Sequence, residues 1–424
     1  MKKKFSYLPL LCGVALLIAS CQKKTDQPFE PAEQSSTRKN NSGKKENQKI
    51  YVSTLDELYA AVNNTDNEGA RLILAPGTYV LNTSYPKGGR LELQTDMSLQ
   101  GQPGAIDAVL IDMSALSVAS FVIPEGRTGG IRMGKGTNSL EWLSLKGGVV
   151  SANPFSVVNT DLVSTETTVN FSHVFVDMNG SNLGINIRNR LAEHANRKIY
   201  SELTDCEITG GVNFNGGALA LQNANGASGS LIDVTMRNNY IHGNKMGLFL
   251  FSTTGVSSIE NCTIKVSSYS DRLEGNGVGM DPSAGVNQSA VTTANNNVTT
   301  IDLYGTSIKG NNPPGMPQLT PVNGALPGAA YLACAYNSVN NISGFNRASN
   351  NTMTVKFHGC DISDNNGTDI HGYAAWCPPA AVLAGSNNLL NIHLYGPSAN
   401  AIVSATASSP AEPAGTNVIN VFRY

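Results

Sequence analysis

The stretch LIDVTMRNNYIHGNKMGLFLF, residues 231–251, decides how the rest of the chain is read. Three short apolar runs, around Val234 and Met236, around Ile241, and over residues 248–251, are parted by Asn238, Asn239, Gly243 and Asn244. Each run has the length of a short strand, and Asn and Gly tolerate the left-handed backbone that a tight corner needs. One such unit is a rung of a coil. Rungs of the same shape recur on the aliphatic anchors Leu145, Val176, Ile208, Ile241, Ile264, Ile308 and Ile362, with corners at Gly180, Gly210, Gly243, Gly310 and Asn365. The intervals are about 30 residues early and vary later, as in a repeat array whose core unit is fixed while its loops are not.

Composition sets the bounds around that coil. A net charge of -2 with 14% charged residues leaves no basic footprint for nucleic acid. Asn and Gly are abundant and helix-period patterns are nearly absent, so the chain reads as all-β. With no second linker, one elongated, monomeric domain is expected over residues 49–424. TLDELYAAVNN, residues 54–64, is the exception: Thr54 and Glu57 make a capping box, and Leu55, Leu58, Ala61 and Val62 line one face. A repeat array exposes its first core layer unless something covers it, so this helix is expected to be the lid. ARLILAPGTYVL supplies a strand, a Pro76-Gly77 turn and another strand.

Residues 1–20 carry an address. Lys2, Lys3 and Lys4 precede an apolar run over residues 8–18 that is short for a membrane span, ending in Ile18, Ala19, Ser20 and Cys21. That tetrad resembles the lipobox of bacterial lipoproteins, which implies cleavage before Cys21, acylation of Cys21 and a membrane attachment through the N-terminal lipid. An ordinary secretory signal with an incidental cysteine is the alternative. Residues 21–48 have almost no aliphatic side chains and read as a disordered tether. The expected location is the cell envelope, at the outer membrane or cell surface.

VSTLDELYAAV, followed by RLILAPGTYVL, LSLQGQPG and VLIDMS, resembles the entry region of right-handed parallel β-helix proteins of the pectate lyase superfamily, closest to those of Bacteroidetes-type bacteria. The resemblance implies a single right-handed parallel β-helix, a solenoid with an N-terminal capping helix, and a polysaccharide as partner. It does not fix the reaction, because the superfamily spans lyases, hydrolases, epimerases, esterases and adhesive shafts.

Strand alternation assigns the outward side chains. In TVKFHG, Val355 and Phe357 are the apolar alternates, so Lys356 and His358 face out. Carried through the rungs, this register gives an outward column of Glu141, Ser172, Thr204, Arg237, Glu260, Tyr304 and His358. Beside it runs Ser139, Asn170, Glu202, Thr235, Ser258, Asp302 and Lys356, and NIHLYG adds His393 and Tyr395. Breaking a uronate chain by β-elimination needs a group to neutralise the carboxylate, a base for the neighbouring proton and an acid for the leaving oxygen. Arg237 or Lys356 suits the first task, and His358 or Tyr304 the others. Glu260 with Asp302 is instead a carboxylate pair for glycoside hydrolysis. Outward positions on a solvated sheet are polar in any case, so a non-catalytic glycan-binding or surface-structural protein is the competing reading.

Other features are weaker. Asp361, Asp364 and Asp369 in CDISDNNGTD offer oxygen ligands, and the resemblance implies calcium as the metal to consider. His242 with Lys245, and His371 near Trp376, are placed to line a groove. Cys206, Cys262 and Cys360 read as buried fillers of one corner, and Cys334 with Cys377 as a pair that either bonds or stays reduced. The proline-rich insert over residues 311–327 stands to wall a groove or to be a plain surface connection.

Overall fold

The computed structural model describes residues 48–116, 129–148, 155–160, 164–212, 217–288, 291–316, 327–337, 348–376, 385–409 and 416–424. The expected signal segment, Cys21, the expected tether up to residue 47, Cys377 and the centre of the proline-rich insert lie outside them. Each rung has three sides. One strand joins a ten-stranded sheet, and the next two, set at a corner, join a nineteen-stranded sheet. Thus Met246–Thr253 belongs to the smaller sheet, while Thr263–Tyr269 and Arg272–Glu274 are the two sides of the larger one. The pairing is parallel from rung to rung: Ile232 lies opposite Ile264, and Val234 opposite Val266. Inward residues stack by type, and Ile232, Val234, Ile264 and Ile301 are fully buried. Each such side chain contributes about 1.5–3 kcal/mol relative to exposure.

The corners are where Asn and Gly act. After the first side of the larger sheet, Asn238, Ser270, Gly305, Gly359 and Gly396 hold φ of 56°, 56°, 59°, 61° and 61°. After the second side, Gly210, Gly243, Gly275, Gly310 and Asp364 do the same. The next residue is then the rung of an amide ladder: the Asn244 N–H donates to Asn276 Oδ1 at 3.1 Å, Asn276 to Asn311 at 3.0 Å, and Asn311 to Asn365 at 3.0 Å. A second ladder at the third corner runs through Asn297, Asn351, Asn388 and Asn417. These amides satisfy buried backbone donors that no strand reaches. Asn365, read above as a corner equivalent to the glycines, is therefore the ladder residue, and Asp364 takes the left-handed position.

The helix Leu55–Asn63 is capped as expected, with the Glu57 N–H donating to Thr54 Oγ1 at 3.2 Å and Glu57 Oε2 accepting from the Thr54 N–H at 3.1 Å. Leu58, Tyr59, Ala61 and Val62 are buried in the same core as Leu72, Leu74 and Leu99, so the helix covers the first layer. Among the described residues no helix is long and apolar enough to cross a membrane.

One anchor slips. Leu145, Val176, Ile208, Ile241, Ile308 and Ile362 share a column, but the member between Ile241 and Ile308 is Leu273. Ile264 sits one side earlier, opposite Ile232. CTI resembles CEI and CDI, yet it opens a full seven-residue strand, and the short strand of that rung is Arg272–Glu274. Cys262 slips with it: its N–H donates to Asn297 Oδ1 at the third corner, whereas Cys206 and Cys360 lie on the corner of Asn239 and Thr306. The thiols of Cys206, Cys262, Cys334 and Cys360 are free and buried. Burial pushes the first three up to about 12 and Cys360 up to about 11.

Candidate functional site

On the larger sheet, Arg237, Tyr269, Tyr304, His358 and Tyr395 stand opposite one another in successive rungs, beside Thr235, Ser267, Asp302, Lys356 and His393. Asp302, Tyr304, Lys356 and His358 are thus brought together as expected, and Arg237 lies over the Tyr269 ring at 4.5 Å. Glu260 and Ser258 are not in these columns, which is a correction caused by the slipped anchor. Tyr269 and Ser267 take their places, and Glu260 pairs with Asn295 in a separate two-stranded sheet. The charges on this face are matched internally: Lys356 Nζ lies 3.1 Å from Asp302 Oδ1 without hydrogen-bond alignment, Arg237 meets Glu202 at 3.3 Å, and Lys309 meets Asp361. The rings cover one another, with centroids at 5.0 Å for Tyr269–Tyr304 and 4.5 Å for Tyr304–His358 and His358–Tyr395. Burial lowers the His358 pKa, the Asp302 charge partly opposing it, and His358 Nε2 is buried without a hydrogen-bond partner. This face is built to pair with itself.

The smaller sheet carries a different arrangement. In Thr368–Trp376, Ile370 and Ala374 pack inward with the coil's core, so His371 and Tyr373 face out. Tyr331 lies opposite His371, and because Met280 lies opposite Ala330, Asp281 falls beside Tyr331. Tyr331, Tyr373 and Trp376 form an apolar cluster of their own with Met246 and Val278, and Phe249 and Tyr336 pack against it. Ring centroids are 6.0 Å apart for Tyr331–His371, 4.7 Å for His371–Tyr373 and 4.6 Å for Tyr336–Trp376. Tyr331, His371 and Trp376 are 8%, 5% and 6% exposed.

Polar atoms in this recess go unmatched. Among the described residues Tyr331 Oη, both ring nitrogens of His371 and Trp376 Nε1 are buried without a hydrogen-bond partner. Each such group costs about 1–3 kcal/mol when it is left unsatisfied. Asp281 is half-buried, and desolvation alone pushes its carboxyl up to about 7. Burial, reinforced by the Asp281 charge, drives the Tyr331 phenol far above its ordinary value and Tyr336 up to about 12, and burial lowers His371. Three titratable groups therefore sit in adjacent rungs with their proton affinities displaced by the same apolar surroundings.

No family model matches the chain, and no curated protein matches it. Among solved structures, pectate lyase Pel9A aligns over 85% of this chain and 78% of its own, at 12% identity and a TM-score of 0.40. The A-module of Azotobacter vinelandii mannuronan C-5 epimerase AlgE4 aligns over 86% and 95%, at 13% identity and 0.36. The PL6 family alginate lyase AlyGC aligns over 85% and 53%, at 12% identity and 0.25. The fold is decided by the parallel register carried from Lys49–Val52 to Val418–Arg423. The chain is a parallel β-helix.

On this β-helix the residues named for calcium do not form a set. Asp361 is tied to Lys309, and Asp369 accepts from Asn365 Nδ2 at 3.3 Å and from the Ile402 N–H at 2.9 Å. Among the described residues no group of three or more His, Cys, Asp or Glu side chains is placed to hold a metal ion. His242 is engaged by Glu207 at 2.9 Å. His371 and Trp376, paired above by nearness in sequence, do share the recess of the β-helix. Asp281 had one signal, a lone acid in the run GVGMDPSAG, where its neighbours are apolar or small.

Proposed function

We propose that this β-helix acts on a polysaccharide, most simply as a lyase on a uronate-containing chain, and that the recess of Asp281, Tyr331 and His371 is where it does so. The single observation behind this reading is that these three groups stand in adjacent rungs of an aromatic recess where Tyr331 Oη and both ring nitrogens of His371 are buried without a hydrogen-bond partner. Sugar hydroxyls and a sugar carboxylate would supply the missing partners, and aromatic rings suit the apolar faces of pyranoses.

The roles follow from proton affinity. His371 is neutral at physiological pH and takes the proton from the carbon next to the uronate carboxylate. Asp281 in its protonated form, which its apolar setting keeps populated up to about pH 7, donates a hydrogen bond to that carboxylate as negative charge builds on it. Tyr331 gives its proton to the departing glycosidic oxygen. The C–H electron pair becomes the new carbon–carbon double bond while the C–O bond breaks, so the step needs no oxidant or water. The lipobox-like segment supports the same setting, with Cys21 acylated and the enzyme tethered by residues 21–48 at the cell envelope.

The test is ultraviolet absorbance on mixing the protein with polygalacturonate, alginate and other uronate polymers, with and without calcium. A rise from new double bonds, abolished in Tyr331→Phe and His371→Ala, is the expected result. New reducing ends without absorbance would make it a hydrolase, and binding with neither would make it a non-catalytic glycan platform.

A further inference from the structure

A second feature points to a ligand, and it lies at the first corner of the larger sheet, away from the recess. Glu141, Ser172, Thr204 and Arg237 share one column, and the residue after each takes the corner: Trp142, His173, Asp205 and Asn238, with φ of 54°, 54°, 53° and 56°. Later rungs put Gly305, Gly359 and Gly396 at this position. Asn, Asp and Gly suit a left-handed backbone; a bulky side chain is strained there. The fold does not need Trp142 or His173 there. Backbone strain of this kind, kept where a small residue would do, is a pointer to function when something else at the same place asks for a ligand.

That second observation is the mounting of the indole. Trp142 is half-buried, and His173 lies flat against one face with ring centroids 3.7 Å apart at 16°. The imidazole is held on both nitrogens, by Ser172 Oγ at 2.9 Å from Nδ1 and by Asp205 Oδ2 at 3.5 Å from Nε2. On the other side the neighbouring rung presents Gly101, whose N–H donates to the Glu141 carbonyl at 2.9 Å. A Cβ at Gly101 would fall 2.0 Å from the Trp142 carbonyl oxygen, so the two backbones are too close for a side chain there. One face is backed and fixed, and the other meets no side chain from its corner neighbour.

We propose that Trp142 is a glycan-stacking platform, a binding subsite for the apolar face of a pyranose in the same polymer that the recess handles. A fixed indole face loses little conformational freedom when a sugar ring lies on it, and Glu141, Ser172 and Asp205 at its rim provide acceptors for ring hydroxyls. The proposal rests on the polysaccharide reading, but it concerns binding and not turnover.

Trp142→Gly tests it, since glycine fits the corner. Affinity for polygalacturonate, alginate or a neutral β-glucan should fall about tenfold in affinity electrophoresis, while the melting temperature stays level or rises because strain is relieved. The chain has two Trp, so in Trp376→Phe the emission reports Trp142 alone, and bound polymer should shield it from iodide quenching. Shielding supports the platform even where the glycine variant folds poorly. Polymer that is bound while Trp142 stays fully quenchable, or binding unchanged in Trp142→Gly, would overturn the platform and leave the function standing. If none of the three polymers is bound, both readings fall together.

Discussion

Asp281 is the residue on which the account turns, and its behaviour with pH is open to a direct check. Its pKa is raised from 3.8 to about 7, so between those values the folded chain keeps a proton that the unfolded chain has lost. Folding takes up a proton there, and stability falls as pH rises across that window. Asp281→Asn should remove this slope, gaining on the order of 2–4 kcal/mol over the native chain at pH 8 and almost nothing at pH 4. Urea denaturation at the two values measures it, and an equal effect at both would mean that the carboxyl is solvated. Turnover should follow a bell, rising as His371 loses its proton and falling as Asp281 ionises near 7. The sequence made His371 and Trp376 visible as neighbours but hid Asp281. An acid at an outward position reads as solvated, and its burial beside Tyr331, about 50 residues further on, is set by the pairing of distant strands.

At the scale of elements, the corners hold more of the structure's specificity than the strands. Asn311 Oδ1 accepts from the Asn276 N–H at 3.0 Å, and its Nδ2 donates to the Leu273 carbonyl at 3.0 Å. Asn311→Ala leaves both without partners and should cost about 3 kcal/mol in urea denaturation, with the m-value unchanged. A loss below about 1 kcal/mol would mean that the ladder is not structural. The anchors were legible because an aliphatic residue beside a Cys, Asn or Gly corner is a local pattern. Ile264 was misplaced because the two sides of the larger sheet begin with the same kind of triplet, and strand length, not the triplet, tells them apart. Glu260 was lost to the candidate column by that one step, since every outward assignment depends on register.

Over the whole molecule the stack is one-dimensional, each rung leaning on its neighbours and the N-terminal helix closing one end. Leu58 of that helix is fully buried, and Leu58→Ala should cost about 3 kcal/mol. Hydrogen exchange should then quicken first in Arg71–Leu74 and Ser98–Gln100 and last in the rungs around Asp281. Uniform quickening would indicate a single cooperative unit. The same length separates two faces with opposite character. The larger sheet sets its charges close together and stacks its rings against one another, leaving Asp302 Oδ1 and His358 Nε2 without partners, whereas the smaller sheet leaves the Tyr331 phenol, the Trp376 indole N–H and both nitrogens of His371 without partners in one aromatic cluster. A comparison of the two faces therefore tests the central claim most directly: double-bond formation on uronate polymers by His371→Ala against His358→Ala, at matched melting temperature. The account predicts that His371→Ala loses turnover by at least about a hundredfold while His358→Ala keeps it. The reverse result would put the chemistry on the larger sheet and contradict the account.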